Sequence, residues 1–308
     1  MRRLKVLVTG VNGQLGHDVM LELAKRGHEC VGSGSAEEYR GVADSVAAMP
    51  YRQIELSEAE DVEKAFDELL PEAVIHCAAW TDVEKAEREE NYPRVYAVNV
   101  QGSRNLAGAS KRLGSKLLYI STDYVFDGKG SAPYDPDSRD YAPLNMYGRT
   151  KLAGELAIAD SMEKYFIVRT SWLYGLNGGN FVKTVLRIGQ KSEELRVVCD
   201  QIGTPTYSRD LARLLADMIE TERYGCYHAS NEGEYVSWYD FACEIYRQLG
   251  FKTRIIPVTT EEYGAVKAAR PLNSRLDKSK LKRNGFDPLP DWKEALSRYL
   301  EELNAFYS

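Results

Sequence analysis

A tyrosine and a lysine four residues apart, Tyr147 and Lys151, have side chains suited to proton transfer. Residues at i and i+4 share one face of a helix, so a helix here places the phenol beside the ammonium. A free phenol has a pKa of about 10, and a neighbouring cation lowers that pKa. The pair therefore suits a general acid, although an exposed Tyr/Lys pair without a catalytic role fits the same spacing.

A hydroxyl group, that of Thr122, directly follows a predicted strand at residues 116–121. Open α/β sheets bind their ligands at the carboxyl ends of the strands, so this hydroxyl is positioned to hydrogen-bond a substrate carbonyl. Taken alone, the segment 121–126 is also an ordinary start of a loop. The order along the chain is a strand-end hydroxyl followed by the Tyr/Lys pair.

Three glycines, Gly10, Gly13 and Gly16, lie between a predicted strand and a predicted helix that begins with Gln14 and Leu15. Gly10 allows a tight turn, Gly13 lets the backbone approach a pyrophosphate, and Gly16 lets the helix pack against the strand. The helix N-terminus then faces the phosphates. The pattern predicts dinucleotide binding, with a merely structural turn as the alternative.

The elements that must position these residues alternate between strand and helix over the first 120 positions. This alternation predicts an α/β fold with a Rossmann-like, doubly wound parallel sheet. A smaller mixed α/β substrate domain is expected where the alternation stops. The predicted strands lie at residues 4–9, 29–33, 53–56, 73–79, 116–121, 166–170, 196–199 and 254–258. The predicted helices lie at 14–26, 58–70, 82–113 with an interruption near Pro93, 147–162, 208–220, 237–249 and 291–306.

The same pattern predicts a division of the chain into two domains. Residues 1–170 are assigned to a dinucleotide-binding domain, with a returning segment near 206–229. Residues 171–205 and 230–308 are assigned to a sugar-nucleotide substrate domain.

The composition excludes several classes of protein. The 308 residues are 44% apolar and carry a net charge of −6, which argues against disorder and against binding to nucleic acid. The five cysteines and four histidines follow no metal-binding or disulfide spacing. The apolar run near the N-terminus is too short for a signal peptide or a membrane span. We therefore expect a soluble cytoplasmic protein, a monomer or a homodimer, with no membrane or nucleic-acid partner.

Together, the glycine turn, the strand-end hydroxyl and the Tyr/Lys pair resemble the extended, sugar-nucleotide branch of the short-chain dehydrogenase/reductase superfamily. Five stretches are similar to those of the dTDP-4-dehydrorhamnose reductase family, at residues 78–87, 121–128, 143–155, 169–175 and 270–277. The resemblance implies reduction of the 4-keto group of dTDP-4-dehydro-L-rhamnose to give dTDP-L-rhamnose. The hydride comes from a reduced nicotinamide and the proton from Tyr147.

The resemblance also implies roles for individual residues. Lys151 holds the nicotinamide ribose and tunes Tyr147, and Thr122 fixes the geometry of the reacting carbonyl. The residues implied to contact the substrate are Thr122, Asp123, Tyr124, Trp172 and Arg270, with a core tryptophan next to a strand end as the alternative interpretation of Trp172. Besides the three glycines and Lys151, the residues predicted to contact the cofactor are Gln14, Leu15, Ser33, Glu55, Leu56, Ala78, Ala79, Trp80 and Tyr147.

The choice of cofactor rests on the end of the second predicted strand, which carries no acid. An acid there would hold the ribose 2′-hydroxyl and repel a 2′-phosphate. Ser33, Ser35 and Arg40 favour a phosphate instead, whereas Glu37 and Glu38 oppose it if they face inward. We predict NADPH, with NADH as the alternative. No metal is predicted, because Asp18, the one acid at a place used for magnesium in part of the family, is expected to be solvated.

Two other functions remain open from the sequence. One is an enzyme acting on a related nucleotide-sugar, such as a reductase of another 4-keto sugar or an epimerase. The other is a non-catalytic, NADP-binding regulatory subunit of the methionine adenosyltransferase type, which has this fold and much of this motif set.

Overall fold

The computed structural model describes residues 2–189, 191–264 and 267–307. Positions 1, 190, 265, 266 and 308 of the predicted domain ranges lie outside the described residues. The strands are β1 Lys5–Thr9, β2 Glu29–Gly34, β3 Tyr51–Gln53, β4 Ala73–His76, β5 Lys116–Thr122, β6 Tyr165–Thr170, β7 Leu173–Tyr174, β8 Glu194–Val198, β9 Ile202–Gly203, β10 Thr206–Tyr207, β11 Gly225–His228, β12 Val236–Ser237 and β13 Arg254–Val258.

The helices cover both faces of the main sheet and much of the second half of the chain. They are α1 Gln14–Lys25, α2 Asp44–Ala47, α3 Ala59–Leu69, α4 Val83–Ala86, α5 Tyr92–Tyr96, α6 Gly102–Leu113, α7 Met146–Ser161, α8 Phe181–Gly189, α9 Ser208–Ile219, α10 Trp238–Leu249, α11 Thr260–Tyr263, α12 Ser279–Arg283 and α13 Trp292–Tyr307.

The main sheet has seven parallel strands in the order β11-β6-β5-β4-β1-β2-β3. The order reverses at β1, because β2 and β3 lie on one side of it and β4, β5 and β6 on the other. Val6 of β1 pairs with Cys30 of β2 on one side and with Ala73 of β4 on the other. The predicted Rossmann-like, doubly wound sheet is confirmed, and the carboxyl ends of its strands meet at one edge.

Two apolar clusters lie on the two faces of this sheet. Helices α1 and α9 pack on one face, where Leu15, Val19 and Leu23 of α1 are buried as their spacing predicts. Helices α3, α6 and α7 pack on the other face. Parallel strands that are covered on both faces have nearly continuous apolar sequences, and β4 has such a sequence.

Two details of the predicted elements are wrong. The strand predicted at 53–56 is β3, which ends at Gln53, because Ile54 and Leu56 mark the chain entering the core beyond the paired segment. Leu70, predicted on the apolar face of α3, follows that helix in a left-handed conformation and is 58% exposed. The predicted interruption near Pro93 is observed: α4 ends at Ala86, α5 begins at Tyr92, and Pro93 lies in the first turn of α5, where its missing N–H is harmless.

The second half of the chain builds a separate apolar cluster from α8, α10 and α13. Beside it, β8 and β13 pair in parallel, and β9 pairs with β12 in antiparallel fashion. Helices α2, α8, α11 and α12 and the strands β7, β9, β10, β11 and β12 have no counterpart among the predicted elements. The strands β7, β9, β10 and β12 have only two residues each, which leaves too little periodicity for a sequence to reveal.

Candidate active site

Helix α7 brings Tyr147 to the carboxyl end of β5. Asn145 caps the helix, because its side-chain oxygen accepts a hydrogen bond from the Gly148 N–H at 2.8 Å. A Cβ on Gly148 would lie 2.3 Å from the carbonyl oxygen of Tyr124. The absence of a side chain at Gly148 therefore lets the first turn of α7 press against the segment that follows β5.

The phenol of Tyr147 is enclosed by two other predicted site residues. The ring of Tyr124 meets it edge-on, with 5.7 Å between the ring centroids. Burial raises the pKa of Tyr147 above its usual value, and hydrogen bonding by the Thr122 side chain opposes that rise. This direction is opposite to the lowering expected from Lys151, because desolvation is the largest cause of the shift in the pKa of Tyr147. The phenol is therefore protonated at neutral pH, as a proton donor must be.

Lys151, one turn further along α7, has a buried amino group. Its Nζ lies 3.9 Å from the centre of the Tyr119 ring, a cation–π contact from the neighbouring strand β5. Burial lowers the pKa of Lys151 to about 7, while the nearby Glu155 carboxylate and Cys77 thiol act in the opposite direction. An anionic or hydroxyl-rich ligand beside it would favour its charged form.

The residues after β5 present a hydroxyl and a carboxyl. Thr122 donates a hydrogen bond to Oδ1 of Asp123 at 3.1 Å and accepts one from the Tyr124 N–H at 3.2 Å. Burial raises the pKa of Asp123 to about 6. Its Oδ2 atom is buried without a hydrogen-bond partner among the described residues, and a ligand hydroxyl would satisfy that atom.

The glycine turn forms between β1 and α1. Gly10 has φ +73° and no room for a Cβ, which would lie 2.6 Å from the backbone nitrogen of Ala78. A Cβ on Gly16 would lie 2.5 Å from the Gly10 oxygen, so this glycine lets the helix start close to the turn. Gly13, at the helix N-cap, makes no side-chain cap, and the first N–H groups of α1 are available for an anion.

The two residues that begin α1, Gln14 and Leu15, have different surroundings. Leu15 is buried in the core beneath the turn. The side-chain oxygen of Gln14 accepts a hydrogen bond at 3.0 Å from Asn180, which precedes α8. Gln14 thus connects the glycine turn to the second half of the chain.

A cleft beside the glycine turn contains most of the predicted adenosine-side residues. Its walls include Gly10, Ser33, Ser35, Glu55, Leu56, Ala78 and Arg94. The Ser33 hydroxyl is buried with no hydrogen-bond partner in the described part of the chain, although its backbone oxygen accepts from Gly10. An orphaned hydroxyl, an uncapped helix and a glycine turn together fit a dinucleotide.

Other predicted residues lie around this cleft in defined contacts. Arg40 is exposed; its N–H donates to Asn12 at 2.7 Å, and its charge is close enough to Tyr51 to act on the pKa of that phenol. Ala79 follows Ala78 in the loop after β4, and the backbone N–H of Trp80 donates to Asn99 at 2.8 Å.

Asn99 is a polar site residue for which sequence reasoning had no signal. It is buried in a π-helical turn, Ala97–Gln101, and its amide nitrogen donates to the Thr150 hydroxyl of α7 at 3.0 Å. The same side chain hydrogen-bonds the backbone of Trp80. Asn99 therefore connects the loop after β4 to the helix that carries Tyr147 and Lys151.

The predicted substrate residues from later in the chain reach the same edge of the sheet. The pKa of Tyr124 is raised to about 12 by burial, and Arg270 opposes the rise through its charge and a hydrogen bond. Arg270 also lies 3.6 Å from a carboxylate oxygen of Glu84. Trp172 follows β6 with a left-handed φ of +49° and stacks on Trp238.

Asp18, expected to be solvated, is instead buried. Its Oδ2 accepts a hydrogen bond from Ser208, and burial raises its pKa to about 7. In the described ranges, no group of three or more His, Cys, Asp or Glu side chains is arranged to hold a metal ion. Within the same ranges, no helix has both the length and the apolar character needed to cross a bilayer.

The sheet order, the glycine turn and the helix bearing Tyr147 and Lys151 define an oxidoreductase of the short-chain dehydrogenase/reductase class. The chain belongs to the family whose model is described as "RmlD substrate binding domain", which matches residues 4–305. The family resemblance predicted from the sequence is thus confirmed.

Individual relatives cover almost the whole chain. It is 39% identical to the spore coat polysaccharide biosynthesis protein SpsK of Bacillus subtilis strain 168, over 98% of each chain. It is 37% identical to the dTDP-4-dehydrorhamnose reductase of Aggregatibacter actinomycetemcomitans, over 95% of this chain and 97% of the relative. The dTDP-4-dehydrorhamnose reductase of Bacillus anthracis strain Ames, solved in complex with NADP, superposes with a TM-score of 0.87 at 41% identity, covering 98% of this chain and 100% of that one.

Proposed function

We propose that this chain reduces the 4-keto group of dTDP-4-dehydro-L-rhamnose to a hydroxyl, giving dTDP-L-rhamnose, with NADPH as the preferred cofactor. When bound, the cofactor supplies the hydride. Tyr147 supplies the proton that the carbonyl oxygen needs as it gains charge. The observation that carries the proposal is the placement of the buried phenol of Tyr147 against Tyr124 and Thr122 at the ligand-binding edge of the sheet.

The neighbours of Tyr147 orient the sugar and bind the ribose of the cofactor. Thr122 and Asp123 orient the sugar, because the free Oδ2 of Asp123 accepts from a sugar hydroxyl. Lys151 binds the ribose hydroxyls on the nicotinamide side. A pKa of about 7 leaves Lys151 partly neutral without a ligand, and contact with these oxygens stabilises its ammonium. Preorganised groups of this kind stabilise developing charge without reorganisation.

The cofactor side rests on the glycine turn and the cleft beside it. Gly10, Gly13 and Gly16 let the pyrophosphate approach the N-terminus of α1. The orphaned Ser33 hydroxyl suits the adenosine ribose or its phosphate. Arg40, exposed beside Tyr51, supplies a cation for a 2′-phosphate, which supports NADPH over NADH.

We also propose that the two halves of the chain divide the ligands. The nucleotide half comprises residues 1–170 with the segment near 206–229, and it carries the cofactor. The sugar half comprises residues 171–205 and 230–308, and it carries the sugar nucleotide. The position of β11 within the main sheet and the separate apolar cluster of α8, α10 and α13 support this division.

The alternatives differ in substrate or in activity. A reductase of another 4-keto nucleotide-sugar would use the same Tyr147, Lys151 and Thr122, so only substrate preference separates it from the proposal. A non-catalytic regulatory subunit has no need of a buried phenol and a buried lysine one helical turn apart, and this geometry favours an enzyme.

The test is Tyr147→Phe in the full chain, assayed by loss of the nicotinamide absorbance with a panel of 4-keto nucleotide-sugars and with NADH and NADPH. Loss of the proton donor is expected to lower kcat by ~10²–10⁴-fold while NADPH binding stays intact. The matched control is Tyr174→Phe, since the Tyr174 hydroxyl is buried without a hydrogen-bond partner in the described residues. Retained turnover in Tyr147→Phe contradicts the proton-donor assignment.

The wild-type panel tests the substrate. The highest kcat/KM is expected for dTDP-4-dehydro-L-rhamnose with NADPH. A higher value for another 4-keto sugar supports the first alternative. Absence of turnover with every sugar, together with tight binding to a methionine adenosyltransferase, supports the regulatory alternative.

A further inference from the structure

Trp172 is held in a backbone conformation that a bulky side chain rarely adopts. Its φ of +49° is in the left-handed region, which costs energy for a residue with a large side chain. The backbone on both sides is tied down: Thr206 N–H donates to the Trp172 oxygen at 3.1 Å, and the Thr206 hydroxyl donates to the Ser171 oxygen at 2.7 Å. A strained residue that its surroundings hold this firmly points to a site.

The indole of Trp172 lies flat on a second indole. The ring centroids of Trp172 and Trp238 are 3.7 Å apart, and the ring planes differ by 13°. Phe181 packs against Trp238, with 4.5 Å between the two ring centroids. Both tryptophans remain half-buried, so the stack keeps accessible surface.

A glycine makes room for the edge of this stack. A Cβ on Gly203 would lie 2.9 Å from Cε2 of Trp172, closer than carbon atoms approach without displacement. Gly203 belongs to β9, which pairs with β12, the strand directly before Trp238. The strand β9 therefore lies against Trp172 and is also paired with the strand that leads into Trp238.

Trp238 has its own anchor, independent of Trp172. It is the first residue of α10, and Ser237 caps that helix through a reciprocal pair of hydrogen bonds with Asp240. Ser237 also pairs with Ile202 of β9. The position of the Trp238 ring is thus set by a capped helix end and by a strand pairing.

The strand β9 connects the stack to the candidate active site. A Cβ on Gly203 would also lie 3.1 Å from the side chain of Ser274. Ser274 lies close enough to Asp123, which follows Thr122, for its hydroxyl to lower the pKa of that carboxyl group against the effect of burial. Trp172 and Ser274, the neighbour of the sugar-orienting carboxyl, therefore both lie against the same glycine.

From this arrangement we propose that Trp238 is a positioning residue that holds the Trp172 indole as a flat wall for the sugar ring, and thereby sets affinity for the sugar of the nucleotide-sugar. The inference rests on the proposed function and adds a residue to it. The apolar face of a pyranose packs on an aromatic ring, and a ring without a fixed orientation loses that contact. Trp238 itself needs no contact with the ligand.

The experiment compares Trp238→Leu with Trp238→Phe in the full chain. We expect Trp238→Leu to raise the KM for the keto-sugar nucleotide about tenfold, the equivalent of one lost aromatic contact, with kcat within about twofold. Trp238→Phe, which keeps an aromatic partner, should restore most of the affinity. Binding of dTDP alone should be the same in all forms, whereas binding of dTDP-L-rhamnose should follow the KM.

Circular dichroism supplies a readout that a merely structural role would not move. Two stacked indoles couple, so the wild type should show an exciton band that Trp238→Leu and Trp238→Phe lack and that dTDP-L-rhamnose, but not dTDP, perturbs. The matched control is Phe251→Leu, an aromatic deletion in the same apolar cluster that packs on Tyr246. It should lower stability without changing KM.

Each outcome bears on the inference. An unchanged KM in Trp238→Leu, or equal weakening of dTDP and dTDP-L-rhamnose, overturns it while leaving the proposed function standing. A wild type that neither turns over the keto-sugar nor binds dTDP-L-rhamnose overturns both. Selective loss of the sugar nucleotide, rescued by phenylalanine, supports it.

Discussion

Removing Glu155 or Arg169 alone should destabilise the protein more than removing both together. The two side chains form an ion pair behind the active site, and their exposed fractions are 2% and 1%. The guanidinium donates to the carboxylate through Nε at 2.9 Å and through Nη2 at 2.7 Å. Two parallel, charge-assisted bonds of this kind are strong, but both ions have lost their hydration.

The size of the effect follows from what each variant leaves behind. Glu155→Leu leaves a buried guanidinium with the Tyr141 hydroxyl at 2.9 Å and the Phe126 ring as its main neighbours. An uncompensated charge of this kind costs about 3–5 kcal/mol. The double variant Glu155→Leu/Arg169→Met leaves no buried charge at the pair, so its loss should be smaller than that of either single variant.

The assay is urea unfolding followed by tryptophan fluorescence, with thermal unfolding as a second measure. At ~2 °C per kcal/mol, the lower end of the range for large domains, each single variant should lose roughly 6–10 °C in Tm. The control is Arg112→Met, which removes exposed ion pairs with Glu63 and Asp67 and should leave the stability nearly unchanged. A double variant whose loss equals the sum of the two single losses would refute the reasoning, because it would show no coupling between the charges.

Two further predictions test the glycine turn and the buried acid. Gly10→Ala should lose at least ~1–2 kcal/mol of stability from its left-handed φ alone, as measured by thermal unfolding. Gly13→Ala should fold normally and bind NADPH more weakly, as measured by fluorescence titration. Equal stability of the two variants contradicts the geometry of the turn. Because burial raises the pKa of Asp18 from 3.8 to about 7, the native state holds this proton more tightly than the unfolded chain, so wild-type stability should fall as pH rises across that interval. Asp18→Asn should lose that slope in urea unfolding at a series of pH values, and an unchanged slope contradicts the prediction.

The part of the fold that the sequence predicts is the part with local periodicity. Steps of four apolar residues mark α1, and a continuous apolar run marks the strand β4. The strand predicted at 53–56 is wrong beyond Gln53, because Ile54 and Leu56 are buried in the core but lie outside the paired strand. The prediction that Leu70 lies on the apolar face of the helix is wrong because the helix ends before it. That end depends on the left-handed conformation of this one residue, which no repeating apolar pattern predicts.

The candidate site divides in the same way. Glycines at fixed spacing and a Tyr/Lys pair at i and i+4 are properties of one turn and one helix, so the sequence by itself determines them. Asn99 shows no such signal, because its partners Trp80 and Thr150 lie 19 and 51 residues away along the chain. Only the packing of α7 against the π-helical turn brings these groups together.

The electrostatics of the site also depend on tertiary packing. From sequence, Lys151 predicts a lowered pKa for Tyr147; in the fold, burial raises it and Lys151 lies over the ring of Tyr119. Asp18 looks like a solvated surface acid in its helix and is buried against α9. The sequence determined which chemical groups are present and their local order. The tertiary structure decided their solvation and their long-range neighbours, because desolvation and stacking, as between Trp172 and Trp238, depend on segments that meet only after folding.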